Sequence, residues 1–242
     1  MASVTNDDDK YAFLTTFDTI FLIDDSGSMA GSNWREVDTA LRSLTPICTS
    51  HDADGIDLYF LNHKSTEGAT PERPAGGFHG IKRADTVENI FRNVQPKRAT
   101  PLGTRLHSIL KPYITSLSNA ASPEDVKPVN IIVITDGRPT DDPESVIVQH
   151  AKKLDAIEAP PYQVGIQFFQ VGSDAGAREF LRELDDDLGT QGVRDMVDAT
   201  TWDASNGRPQ PLTADGILKV VLGAVVRRLD RKATVNTGRS HT

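Results

Sequence analysis

Phe17-Asp18-Thr19-Ile20-Phe21-Leu22-Ile23 runs directly into Asp24-Asp25-Ser26-Gly27-Ser28. The first half is rich in β-formers and the second is a turn cluster, so a strand ends at a sharp polar corner. Val129 to Thr135 repeats the arrangement: a largely β-branched run, the pattern of a strand covered on both faces, ends in Asp136-Gly137. Around these two, apolar strands and amphipathic helices alternate. Ile56 to Leu61 and Gly165 to Val171 read as strands, and Asp195 to Ala199 as a short one. Helices are predicted after Asn33 and over Leu102 to Leu117, Glu144 to Ile157, Ala175 to Leu188 and Ala214 to Leu229. Asn33 is the expected cap of the first, with Glu36 as its capping-box partner. Pro46 should close that helix, and Pro112 should kink or stop the next. Asn62 to Gly80 is rich in Gly and Pro and too long to be featureless, so it should carry an edge hairpin or a binding surface. The order implies an α/β architecture: a doubly wound, mostly parallel sheet of about six strands with one antiparallel edge strand and helices on both faces.

The 242 residues carry a formal net charge of −8, with 38% apolar and 25% charged side chains. That balance suits a soluble globular domain, and the acidic excess argues against a nucleic-acid surface. A lone cysteine, Cys48, excludes an internal disulfide framework and fits a reducing compartment. Met1 to Lys10 lacks the basic flank and apolar stretch of a signal peptide. Ile217 to Leu229, interrupted by Lys219 and Arg227-Arg228, falls short of the ~18 uncharged residues of a spanning helix. The expectation is a cytoplasmic monomer without membrane or nucleic-acid partners, with unconventional export left open. One domain is expected over residues 13–232, between flexible segments at 1–12 and 233–242.

In an open parallel sheet, ligands sit outside the carboxyl ends of the strands, so the polar residues just after each strand carry the chemistry. The first strand delivers Asp24, Ser26 and Ser28, and the buried one delivers Asp136. A third turn, Ala99-Thr100-Pro101-Leu102-Gly103-Thr104, opens a helix and presents Thr100 at the same edge. All five side chains end in oxygen. Hard oxygen donors suit Mg²⁺ or Mn²⁺, with Ca²⁺ a further candidate, better than zinc or copper. Neutral hydroxyls among the ligands leave much of the cation's charge available to a further ligand, such as a Glu or Asp of a partner protein.

Leu22-Ile23-Asp24-Asp25-Ser26-Gly27-Ser28-Met29, Thr100-Pro101-Leu102-Gly103-Thr104 and Ile134-Thr135-Asp136-Gly137 together resemble the three parts of the metal-ion-dependent adhesion site of von Willebrand factor type A (VWA) domains, a Rossmann-like fold. The resemblance spans roughly Phe17 to Leu229, with the three parts in the family's order. Phe169-Gln170-Val171-Gly172-Ser173-Asp174 and Phe180 to Asp186 look like intracellular single-domain members, especially fungal ones. The resemblance implies direct coordination by Ser26 and Ser28, and coordination by Thr100 either directly or through water. It implies that Asp24 and Asp136 act mostly through water. The extended Trp202 to Pro211 stretch and the long Asn62 to Gly80 loop leave the partner's identity open.

Blander roles stand beside these. Ser26 and Ser28 could be turn serines, Thr100 a helix cap, and Asp136 an ordinary turn residue before glycine. Asp25 and Thr104 could support the ligands from behind, and otherwise read as solvated or locally bonded neighbours. The histidines at 51, 63, 79, 107, 150 and 241 show no pair at ligand spacing. Asp52-x-Asp54-Gly55 lacks the glutamate a calcium loop needs, because His63 occupies that position. Asp185 to Asp187 reads as a solvated face, while Trp34 and Trp202 are candidates for the site rim or the core. A Mg²⁺-dependent hydrolase is the competing reading, but the sequence has no phosphate-cradling Gly-Lys-Ser/Thr loop and no Gly-x-Ser-x-Gly elbow. An assembly or regulatory subunit of an ATPase complex would differ from a binding domain only in its partner. No catalytic residue is assigned.

Overall fold

The computed structural model describes residues 14–51, 54–66, 68, 70, 73–190, 192, 194–201 and 212–222. The elements are β1 (Asp18–Ile23), α1 (Ser32–His51), β2 (Ile56–Phe60), β3 (Phe78–Ile81), α2 (Ala84–Asn93) and α3 (Leu102–Asn119). They continue with β4 (Val129–Thr135), α4 (Pro143–Ala156), β5 (Val164–Gln170), α5 (Ala175–Thr190) and β6 (Val197–Thr201), and residues 214–222 are also helical. One six-stranded sheet has the order β3-β2-β1-β4-β5-β6, parallel throughout except for the antiparallel β2–β3 pair at one edge. This is the architecture expected from the alternation of strands and helices.

Strand pleating sends alternate residues to opposite faces, and both faces are covered. Phe21 and Ile23 of β1, with Ile132 and Ile134 of β4, pack under α1, α2 and the 214–222 helix. Ile20 and Leu22, with Ile131 and Val133, pack under α3, α4 and α5. The order reverses at β1, whose neighbours β2 and β4 lie on either side. Its carboxyl end beside β4 is therefore the crevice where a ligand site is expected.

Three sequence expectations need correction. Pro46 does not close α1, which continues to His51. The ring faces solvent, where water can serve the carbonyl it leaves without a donor, and Cys48 extends the buried face past it. Pro112 likewise does not stop α3, because Ile114 and Leu117 continue the core-facing stripe to Asn119. Asn33 is inside α1 rather than its cap, and the Glu36 carboxylate accepts from the Leu212 backbone N–H. His107 and His150 meet across α3 and α4, with Nδ1 of one 3.1 Å from Nε2 of the other. The long loop does carry an edge strand, β3, but α2 was not foreseen. The terminal segments 1–12 and 233–242, Trp202 to Pro211 and Asp52 lie outside the described residues, as do the side chains of Asp185 to Asp187. Among the described residues, no helix is long and apolar enough to cross a membrane.

The end of α4 offers a direct test of backbone strain. Glu158 has φ +52°, its N–H bonds Asp155 O at 3.0 Å, and the Ala159 N–H bonds Leu154 O at 3.0 Å. This is the helix stop that ordinarily places glycine at its left-handed position. Removing the Cβ penalty of roughly 1–2 kcal/mol outweighs glycine's extra unfolded-state entropy. Glu158→Gly should therefore stabilise the fold by about 0.5–1 kcal/mol, read as a higher urea midpoint with an unchanged slope.

Candidate metal centre

Three loops meet beyond the carboxyl ends of β1 and β4. The 24–29 corner begins with Asp24, fully buried, whose Oδ1 accepts from the Ser26 N–H at 2.8 Å. Its Oδ2 accepts from the Thr135 hydroxyl on β4 at 2.7 Å. A single 3₁₀ turn, Gly27–Met29, then brings Ser28 back beside Ser26, and their Oγ atoms share a hydrogen bond of 3.0 Å. Ser28 Oγ donates to Asp136 Oδ1 at 2.7 Å, and Asn33 Nδ2 donates to Asp136 Oδ2 at 2.9 Å. Ser26, Ser28 and Asp136 thus form one continuous chain of oxygens, with Asp24 tied to the Ser26 backbone.

The 98–100 segment is held by its backbone to the other two loops: the Gly27 N–H donates to Arg98 O at 3.1 Å, and the Thr100 carbonyl accepts from the Thr140 N–H at 2.9 Å. The Thr100 side chain lies outside the oxygen chain: among the described residues the hydroxyl makes no hydrogen bond, and the residue is 6% exposed. Asp25 and Thr104 are engaged elsewhere. Asp25 accepts from the backbone N–H groups of Asn62 and His63, and Thr104 donates its hydroxyl to Asp141.

The electrostatics of the corner favour a cation. Burial pushes the Asp24 carboxyl above the usual carboxylate range, against the lowering effect of the Thr135 and Ser26 hydrogen bonds, and the nearby Asp136 charge pushes it the same way. Among the described residues, neither Asp24 nor Asp136 is in an ion pair. Two crowded carboxylates without a basic partner, joined to hydroxyl oxygens, form a donor set suited to a hard divalent ion. A cavity of about 460 Å³ opens over Ser28 and Asp136, walled by Asn33, Arg138, Gly172 and Asp174.

Three supporting residues escaped the sequence reading. Asn33 orients Asp136. Asp141 accepts from the backbone N–H groups of Gly103 and Thr104 at 2.9 and 2.7 Å, serving the free amides at the start of α3 and locking the Thr100 loop to the Asp136 loop. Arg105, 3% exposed, donates to Phe60 O at 2.8 Å and Gly76 O at 2.7 Å, and lies over the Tyr59 ring. It fastens the 61–77 loop to the sheet edge. Trp34 is half-buried and packs against the core on Phe60 and Phe91.

With the sheet order and the corner in place, the profile of the von Willebrand factor type A domain matches residues 18–205. The chain belongs to that family, whose members commonly mediate protein–protein interaction and are typically non-enzymatic. Similar solved structures include the SpRpn10 VWA domain, at 10% identity and TM-score 0.49, covering 84% of this chain and 94% of that one. Proximal thread matrix protein 1 from the mussel byssus is 18% identical, with TM-score 0.48 and coverage of 86% and 48%. The PilB minor pilin of Streptococcus sanguinis is 12% identical, with TM-score 0.46 and coverage of 86% and 62%. No curated protein sequence matches the chain.

Proposed function

We propose that this protein is a divalent-cation-dependent protein-binding domain, in which Asp24, Ser26, Ser28, Thr100 and Asp136 hold Mg²⁺ or Mn²⁺ and a partner's Glu or Asp completes the coordination shell. Ca²⁺ is the third candidate ion. The observation that carries the reading is the continuous oxygen chain from Ser26 through Ser28 to Asp136, beside a buried carboxylate with no basic partner among the described residues. The cation supplies concentrated positive charge to receive a carboxylate. The protein supplies orientation: Thr135 fixes Asp24, Asn33 fixes Asp136, and Asp141 holds the Thr100 loop against the Asp136 loop. The likeness of Phe169 to Asp174 and Phe180 to Asp186 to intracellular single-domain fungal members supports a cytoplasmic setting, and the domain acts as a monomer in this reading.

Titration calorimetry tests the metal assignment. The purified protein should bind Mg²⁺ or Mn²⁺, and saturating metal should raise its melting temperature, because binding at 100 times Kd adds about 2.7 kcal/mol of stability. Ser26→Ala/Ser28→Ala should remove both effects while leaving a folded protein. Equal affinity in the two proteins, or no heat in either, rejects the assignment.

A further inference from the structure

Beside the corner, on the Thr100 side and away from Asp136, lies a separate cleft of about 210 Å³. Its walls include Asp25, Asn62, His63, Lys64, Lys97 and Arg98. It shares the 25–27 and 98–100 segments with the candidate metal centre: the Lys97 N–H donates to Asp25 O at 2.8 Å and the Gly27 N–H to Arg98 O at 3.1 Å.

The cleft's charge is one-sided. Among the described residues its only acidic member is Asp25, which is 1% exposed, and whose carboxylate is occupied by the backbone N–H groups of Asn62 and His63 and by the Asn62 amide, at 2.7, 2.9 and 3.1 Å. Lys64, Lys97 and Arg98 are exposed, and none is in an ion pair with a described residue. Arg138, on the far side of the metal corner, instead bonds Gly176 O and faces Glu183 at 4.0 Å. Unused cations therefore gather on one flank of the site, in a chain whose net charge is −8.

The walls are also built rather than loose. Arg98 has φ +73°, a left-handed conformation that costs an L-residue energy and persists only where surrounding structure enforces it. Here it aims the Arg98 carbonyl at Gly27. Asn62 Nδ2 bonds Ala99 O at 2.9 Å, closing the cleft floor, and the His63 ring stacks parallel on Phe78 at 5.8 Å between centroids.

We infer that this cleft is a second carboxylate subsite, which takes an acidic side chain next to the metal-binding Glu or Asp in an acidic segment of a partner protein. The inference rests on the proposed function, and it narrows the partner from any protein with one exposed carboxylate to one presenting several in succession.

Two fluorescein-labelled synthetic peptides test it: oligoglutamate, and a Gly/Ser peptide with a single central glutamate. Anisotropy is read in Mg²⁺ and in EDTA, at low and at physiological salt. In Mg²⁺ at low salt, oligoglutamate should bind about ten-fold tighter than the single-glutamate peptide. That ratio should shrink as salt screens the exposed cations. Lys64→Glu/Lys97→Glu, which leaves the strained Arg98 in place, should bring the ratio to about one at an unchanged melting temperature. The salt dependence of the wild-type ratio keeps the test independent of that variant's folding. Equal binding of the two peptides, both released by EDTA, overturns the cleft and leaves the metal reading standing. Salt-sensitive oligoglutamate binding that ignores EDTA keeps the cleft and overturns the metal reading. No oligoglutamate binding in either condition overturns the inference.

Discussion

Gly103→Ala should destabilise the protein by about 1–2 kcal/mol and lower its Mg²⁺ affinity at least ten-fold. A Cβ at Gly103 would stand 2.8 Å from Asp142 O and 2.9 Å from both Asp142 C and Pro143 N. All three are backbone atoms, so no side chain can swing aside. Overpacking of this kind costs typically 1–3 kcal/mol, and here the strain falls on a hydrogen-bonded junction. Against it stands the helix preference for alanine over glycine, worth up to about 1 kcal/mol. The clash outweighs the gain because α3 can escape it only by moving away from the 141–143 segment. That movement lengthens the bonds from the Gly103 and Thr104 amides to Asp141 and carries Thr100 away from Asp136. Urea unfolding and metal titration on one variant read both effects. A variant with wild-type stability and wild-type Mg²⁺ affinity would show that the contact between the two loops can relax freely.

The same junction shows why some of this fold could be read in the sequence and some could not. β1 and β4 were legible because their apolar residues fill both faces and their turn residues follow at once, all within a dozen positions. Asp24, Ser26, Ser28 and Asp136 were legible as a set because each closes such a strand. Asp141 and Arg105 were not, since their value lies in partners 29 to 45 residues away along the chain. Asn33 was misread by a local rule. A polar residue at a helix start usually serves its own helix, whereas this one serves a carboxylate 103 residues away. Pro46 and Pro112 were misread in the opposite sense, because burial of the stripe beyond each proline offsets the lost backbone bond. β6 lies two residues later than the apolar pattern suggested, set by pairing of Val197 with Ile166 on β5.

Acidification should destabilise the protein through His150, at the contact between α3 and α4. The residue is fully buried, and burial lowers its pKa to about 4, with the neighbouring His107 and then Lys153 pushing the same way. The native state therefore refuses a proton that the unfolded chain accepts near 6.5. Between these values the unfolded state binds more protons, so stability is fully present above pH 6.5 and is lost as pH falls toward 4. A cavity of about 290 Å³ borders the ring, so solvent screens part of the penalty. The loss across the window should amount to about 2 kcal/mol. Asp24, Asp38 and Asp57 run the other way, since burial raises their pKa values and stability falls as pH climbs from 3.8 through the raised values. The comparison that isolates the histidine is therefore with His150→Gln, which keeps an amide able to bond His107 but cannot titrate. Urea unfolding from pH 4 to 7 should show the wild type losing about 2 kcal/mol more than the variant on acidification. Parallel curves would mean that His150 already carries its proton within the fold, or that the helix pair opens to water before it must.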